Sequence, residues 1–217
     1  MLNNAPNWLI ESIGKHDHVL SVNIGPDNVI NIQRKEGIPL RVAAISSKVT
    51  NSATVIKVVK EHSFEFLLNI PKDAYTAGEI FEYLDSKQIS YGGLGDLYRV
   101  LSEDENWPYQ PKEVSFIIRG LEQHSKVSSV KRLDDRRYFI TRNSLPPVII
   151  VALNDYDLNT ESVRNGKQVY KAFDGILASN PNARITGGAE SVAESLGVKI
   201  YTWRQLLGAL NNIWKTS

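Results

Sequence analysis

The residues of this 217-residue chain best placed to do chemistry are basic. Lys131-Arg132, Arg136-Arg137 and Arg142 crowd one short stretch, interrupted by Asp134 and Asp135. A hairpin there would gather the cations, and the planar guanidinium suits phosphate oxygens. Arg34 ends an earlier strand as Arg142 ends a later one, and each either closes an ion pair at a sheet edge or contacts phosphate. Asn180-Pro181-Asn182, with Arg184 and Thr186, fills a loop between a buried strand and a helix. Ligands gather at the carboxyl ends of strands, and a helix N-terminus offers N–H groups to an anion. The same residues are also ordinary turn and cap signals. Asn154, Asp155, Asp157 and Glu161 are the most acidic cluster and read as a solvated loop entering a helix's first turn. His16 and His124 end equivalent helices, where imidazole caps carbonyls, with a catalytic or metal-binding role as the alternative. Gly92-Gly93-Leu94-Gly95 lacks the Lys-Ser/Thr sequel of a phosphate loop.

The bulk composition narrows the classes. With 25 basic and 24 acidic residues there is no global field for nucleic acid, and a local patch has to supply any attraction. Cysteine is absent, which excludes disulfides, thiol nucleophiles and zinc-cysteine sites. The start carries no signal-peptide pattern, and no apolar stretch approaches the ~18 residues of a membrane helix. The expectation is a soluble, cytoplasmic protein without a membrane partner.

The elements that would position these residues are written twice. A shift of 108 lays residues 10–55 on 118–163 without a gap, matching Ile10, His16, Asp27, Arg34 and Pro39 to Ile118, His124, Asp135, Arg142 and Pro147. Small slips continue the match, pairing Thr76 with Thr186 and Leu101 with Leu210. A repeat this long is a domain-sized unit. Each copy opens with an amphipathic helix, then a hairpin of alternating strands (18–23 and 29–34; 126–131 and 137–142). A solidly apolar strand follows at 40–45 and 148–153, a pattern suggesting cover on both faces. Helices capped by Asn51 and Asn159, strands 64–69 and 173–179, helices capped by Thr76 and Thr186, short strands and closing helices complete the unit. The order is αβββαβαβα, with lobes 1–101 and 111–217 and an acidic, proline-bearing linker at 102–110.

That order resembles the restriction-endonuclease-like, PD-(D/E)xK, superfamily. The stretch Ile176-Leu177-Ala178-Ser179-Asn180-Pro181, Thr186, Ala189, Ala193, Val198-Lys199-Ile200-Tyr201 and Gln205-Leu206-Leu207 is similar to the tail of Mrr-type nucleases. The resemblance implies an α/β fold of two tandem lobes forming a pseudo-dimer, a monomer with internal pseudo-twofold symmetry. It also implies a metal cradle: an Asp at the second strand and an acidic residue with a Lys two positions later on the third, holding Mg²⁺ at the scissile phosphate. Neither third strand contains that triplet, and Asp27 and Asp135 fall at turns. The leading expectation is therefore a non-catalytic member of the fold that binds DNA or a protein partner without a cofactor. The first alternative is a magnesium-dependent nuclease whose site has migrated to Asp135, Asp155 and Glu161, with Lys167 adding charge. The second is a nucleotide or small-ligand sensor using the loop 180–186.

Overall fold

The computed structural model describes residues 5–102 and 107–214, in two compact units, Met1–Pro111 and Lys112–Ser217. In the first, α1 (Asn7–Gly14) leads into an antiparallel run of β1 (Val19–Ile24), β2 (Ile30–Arg34) and β3 (Leu40–Ile45). A two-residue strand β4 (Val49–Thr50) and α2 (Ser52–Glu61) carry the chain back to β5 (Phe66–Asn69), which pairs parallel with β3. Another short strand, β6 (Tyr75–Thr76), then α3 (Gly78–Ser86), β7 (Ser90–Gly92) and α4 (Leu94–Ser102) follow. The sheet order is β1-β2-β3-β5-β7, and β4 pairs with β6 in a separate bridge beyond the carboxyl ends of β3 and β5.

The second unit has the same order. It runs α5 (Lys112–Glu122), β8 (Val127–Arg132), β9 (Arg137–Arg142), β10 (Leu145–Leu153), β11 (Asp157–Leu158) and α6 (Thr160–Tyr170). Then come β12 (Gly175–Ala178), β13 (Arg184–Ile185), α7 (Gly187–Ser195), β14 (Lys199–Tyr201) and α8 (Trp203–Ala209). Its sheet reads β8-β9-β10-β12-β14, and β11 pairs with β13.

The solid apolar strands take their pattern from helices on both faces. Leu40, Val42 and Ala44 pack with Leu9, Ile13, Leu97 and Leu101 of α1 and α4, while Ala43 and Ile45 pack with Val55, Val58, Ile80 and Leu84 of α2 and α3. The second unit repeats this, with Ile150 and Ala152 against α5 and α8, and Val151 and Leu153 against α6 and α7. Each fully buried Leu, Ile or Val contributes roughly 1.5–3 kcal/mol of transfer free energy. Among the described residues no helix is long and apolar enough to cross a membrane.

Local contacts recur between the units. The Arg41 N–H donates to Glu65 Oε2 at 2.8 Å, and the Ile149 N–H to Asp174 Oδ2 at 2.7 Å. Gly25 N–H bonds to Val29 O across one hairpin turn, and Leu133 N–H to Arg137 O across the other, both at 2.8 Å. Gly93 N–H donates to Asp96 at the start of α4, as Thr202 N–H does to Gln205 at the start of α8.

Three expectations need correction. Asn51, Asn159 and Thr186 cap their helices, but Thr76 does not. The N-cap of α3 is Ala77, and the Thr76 hydroxyl is buried against Thr50 and Tyr91. The structural partner of Thr186 is thus Ala77, because the β4–β6 bridge draws Thr76 into the interior. The closing helix α8 ends at Ala209 rather than at 213. Residues 103–106 of the expected linker lie outside the described residues, and those after them pack on the first unit. Tyr109 is buried there, and its N–H donates to Ser90 Oγ at 2.7 Å.

Candidate functional site

The densest polar cluster lies at the carboxyl ends of β10 and β12 and was not anticipated from sequence. Its centre is Glu113, in the first turn of α5. One of its oxygens, Oε1, accepts from Arg136 Nη1 at 3.0 Å and Ser179 Oγ at 2.6 Å. The other, Oε2, accepts from the same Arg136 nitrogen at 3.0 Å and from Asn154 Nδ2 at 2.9 Å. Four bonds fill the approximately four lone-pair sites of a carboxylate. Burial works against the charge on Arg136, but the Glu113 carboxylate more than offsets it and holds the guanidinium pKa above its ordinary value.

Beneath this lies the hairpin turn. Asp134 is fully buried, and its Oδ1 accepts the N–H groups of Arg136 at 3.0 Å and Arg137 at 2.8 Å. Its Oδ2 accepts Arg137 Nε at 2.7 Å, while Arg137 Nη1 reaches Ala172 O. Arg132 donates to the Asp134 and Asp135 carbonyls, and burial lowers its pKa. Tyr138 is 1% exposed. Burial pushes its pKa up to about 12, with Arg132 opposing and Glu113 adding to the rise.

The first unit builds a different network at the corresponding edge. Asn69 accepts from Ser47 N–H and donates to Ser47 O, Thr50 and Tyr91, whose hydroxyl also meets Thr50 and Thr76. These side chains carry no charge. Asp27 shapes its own turn by accepting from Val29 N–H, and pairs with Arg41 at 2.7 Å. Burial alone would raise its pKa, but those partners bring it below the ordinary carboxylate value.

The basic residues expected to face phosphate divide into those tied to backbone carbonyls and those at the surface. Arg142 is a correction: it is 4% exposed, and its donors go to Pro146 O, Leu210 O and Asn212 O. Burial, the main cause, lowers its pKa. Arg34 donates likewise to Leu101 O. Both arginines tie off helix ends. Lys131 and Arg184 are exposed, and Arg136 is partly so.

The acidic alternative does not assemble. Among the described residues no group of three His, Asp or Glu side chains is placed to hold a metal ion, so Asp135, Asp155 and Glu161 do not form a cradle. Asp155 and Glu161 are exposed, and Lys167 lies over the Phe173 ring, its Nζ 5.0 Å from the centroid. In the loop 180–186, Asn180 closes its own turn by accepting from Asn182 N–H. The Thr186 hydroxyl accepts from Ala189 N–H and donates to Leu158 O.

The histidines also differ from expectation. His16 Nδ1 accepts from His18 N–H, and His124 Nδ1 from Lys126 N–H, so each imidazole closes the turn after its helix instead of capping carbonyls. An open cavity of about 350 Å³ in the first unit is lined by His16, His18, Lys15 and Tyr98, with the His16 and Tyr98 rings 4.9 Å apart.

Comparison of the chain with protein-family models, curated proteins and solved structures gives no match.

Proposed function

We propose that the chain is a tandem duplication of a restriction-endonuclease-like unit that binds DNA without cutting it. One observation carries this reading: the saturation of Glu113. It stands at the carboxyl ends of β10 and β12, beside the turn into β9, the region where that family's second and third strands bring together metal-binding acids. Here the acid accepts four hydrogen bonds from Arg136, Ser179 and Asn154, leaving no lone pair for an ion. Asp134, the turn acid nearest to it, is likewise spent on Arg136 and Arg137. The third strands contribute only Leu40–Ile45 and the apolar end of Leu145–Leu153, with no acidic residue. The recurring hairpin, strand-edge and helix-cap contacts support descent of both units from one ancestor.

Lys131 and Arg184 are the second unit's candidate phosphate contacts, while Arg136 is held by Glu113. If each neutralises one phosphate, the logarithm of the DNA association constant falls against log salt with a slope of roughly −2. Fluorescence anisotropy with a labelled duplex, from about 50 to 300 mM salt, measures it. A salt-independent affinity, or no binding at the lowest salt, contradicts the proposal.

A further inference from the structure

The bridges β4–β6 and β11–β13 carry the same pair of chemistries with the positions exchanged. In the second unit Arg184 N–H donates to Tyr156 O at 2.7 Å, and the Arg184 guanidinium lies 5.3 Å from the Tyr156 ring centroid. Tyr156 is half exposed and Arg184 is exposed. In the first unit the same backbone bond runs from Tyr75 N–H to Lys48 O at 2.8 Å. The cation there is on the β4 side and the aromatic ring on β6. Both registers agree, because Val49 faces Tyr75 as Asp157 faces Arg184.

A cation–π contact at an exposed site is a weak stabiliser, and the half-exposed Tyr156 ring does not fill a core. A ring held at the open carboxyl edge of a sheet, with a cation alongside, has the parts that bind unstacked nucleotides. A base with a free face stacks on the ring, and the cation meets the neighbouring phosphate. With its guanidinium over the tyrosine, Arg184 still has rim donors for phosphate. The bases inside a duplex have no free face to offer.

We propose that Tyr156 with Arg184 is a stacking platform for a single-stranded segment of DNA. This rests on the DNA-binding reading and specifies the form of DNA. The test uses the full-length chain, a fluorescein-labelled dT20 strand and the corresponding dA·dT duplex, compared by anisotropy. The expected result is tighter binding of dT20 than of duplex. Tyr156→Ala should weaken dT20 binding about 5- to 150-fold, Tyr156→Phe should stay within about twofold, and duplex binding should be unchanged by either. Because Tyr156 is half exposed, both variants should give wild-type circular dichroism. Unchanged dT20 affinity in Tyr156→Ala, or an equal loss for both forms, overturns the platform while leaving DNA binding in place. If neither oligonucleotide binds, both proposals fail.

Discussion

The Arg142 guanidinium donates to the carbonyl of Leu210, 3.2 Å away and 68 positions along the chain. Its counterpart Arg34 donates to the carbonyl of Leu101, the residue that corresponds to Leu210, 67 positions along. An arginine at the end of a strand thus holds the end of the closing helix in both units. The helix leaves carbonyls without intrahelical partners, and the guanidinium supplies both donors and a charge of the favourable sign.

Arg142→Ala should therefore act on stability and not on DNA affinity. It leaves the carbonyls of Pro146, Leu210 and Asn212 without their donor, at a cost of about 2–4 kcal/mol in urea unfolding. The salt slope of DNA binding in the folded variant should match wild type. A flatter slope with unchanged stability would return Arg142 to the phosphate-contact group.

Glu113→Gln should raise DNA affinity. The substitution keeps the shape of the side chain but removes the charge that neutralises Arg136, 3.0 Å away. The freed positive charge lies at the proposed binding edge, so low-salt affinity should rise several-fold and the salt slope steepen by up to about 1. Folding stability should fall by about 1–2 kcal/mol as charge-assisted hydrogen bonds become neutral ones. Unchanged binding would place the DNA elsewhere.

Tyr138 carries a pH prediction. Its folded pKa of about 12 exceeds the ordinary 10.0, so the folded state holds its proton where the unfolded state has lost it. The associated stability is complete below pH ~10 and is lost as pH rises from ~10 towards ~12. Tyr138→Phe removes that dependence. At neutral pH it should change stability by no more than about 1.5 kcal/mol, the scale of one net hydrogen bond. Urea midpoints of both proteins at pH 7 and pH 10.5 measure it. The same fall in midpoint between the two pH values in both proteins would contradict it.

Much of the fold was legible because its signals are local. The apolar runs at 40–45 and 148–153 state their two-sided burial directly, and Asn51 and Asn159 announce the helices that they cap. The site was less legible because its contacts are distant. Glu113 reads as an ordinary acidic first turn until Ser179, 66 residues later, arrives beside it. A strand-ending arginine such as Arg142 fits phosphate or burial equally well in sequence. Thr76 looks like a cap because nothing local signals a two-residue bridge. The adjacent acids Asp134 and Asp135 show a similar limit: the repeat register selects Asp135, whereas the turn is organised by Asp134.

The most direct test of binding without cleavage is to incubate the purified chain with a labelled duplex and supercoiled plasmid. Mg²⁺, Mn²⁺ and EDTA are compared at about 50 mM salt. The account expects retarded duplex and intact plasmid under all three conditions. Nicked or linear plasmid that appears with a divalent metal and vanishes in Asp135→Ala would contradict it.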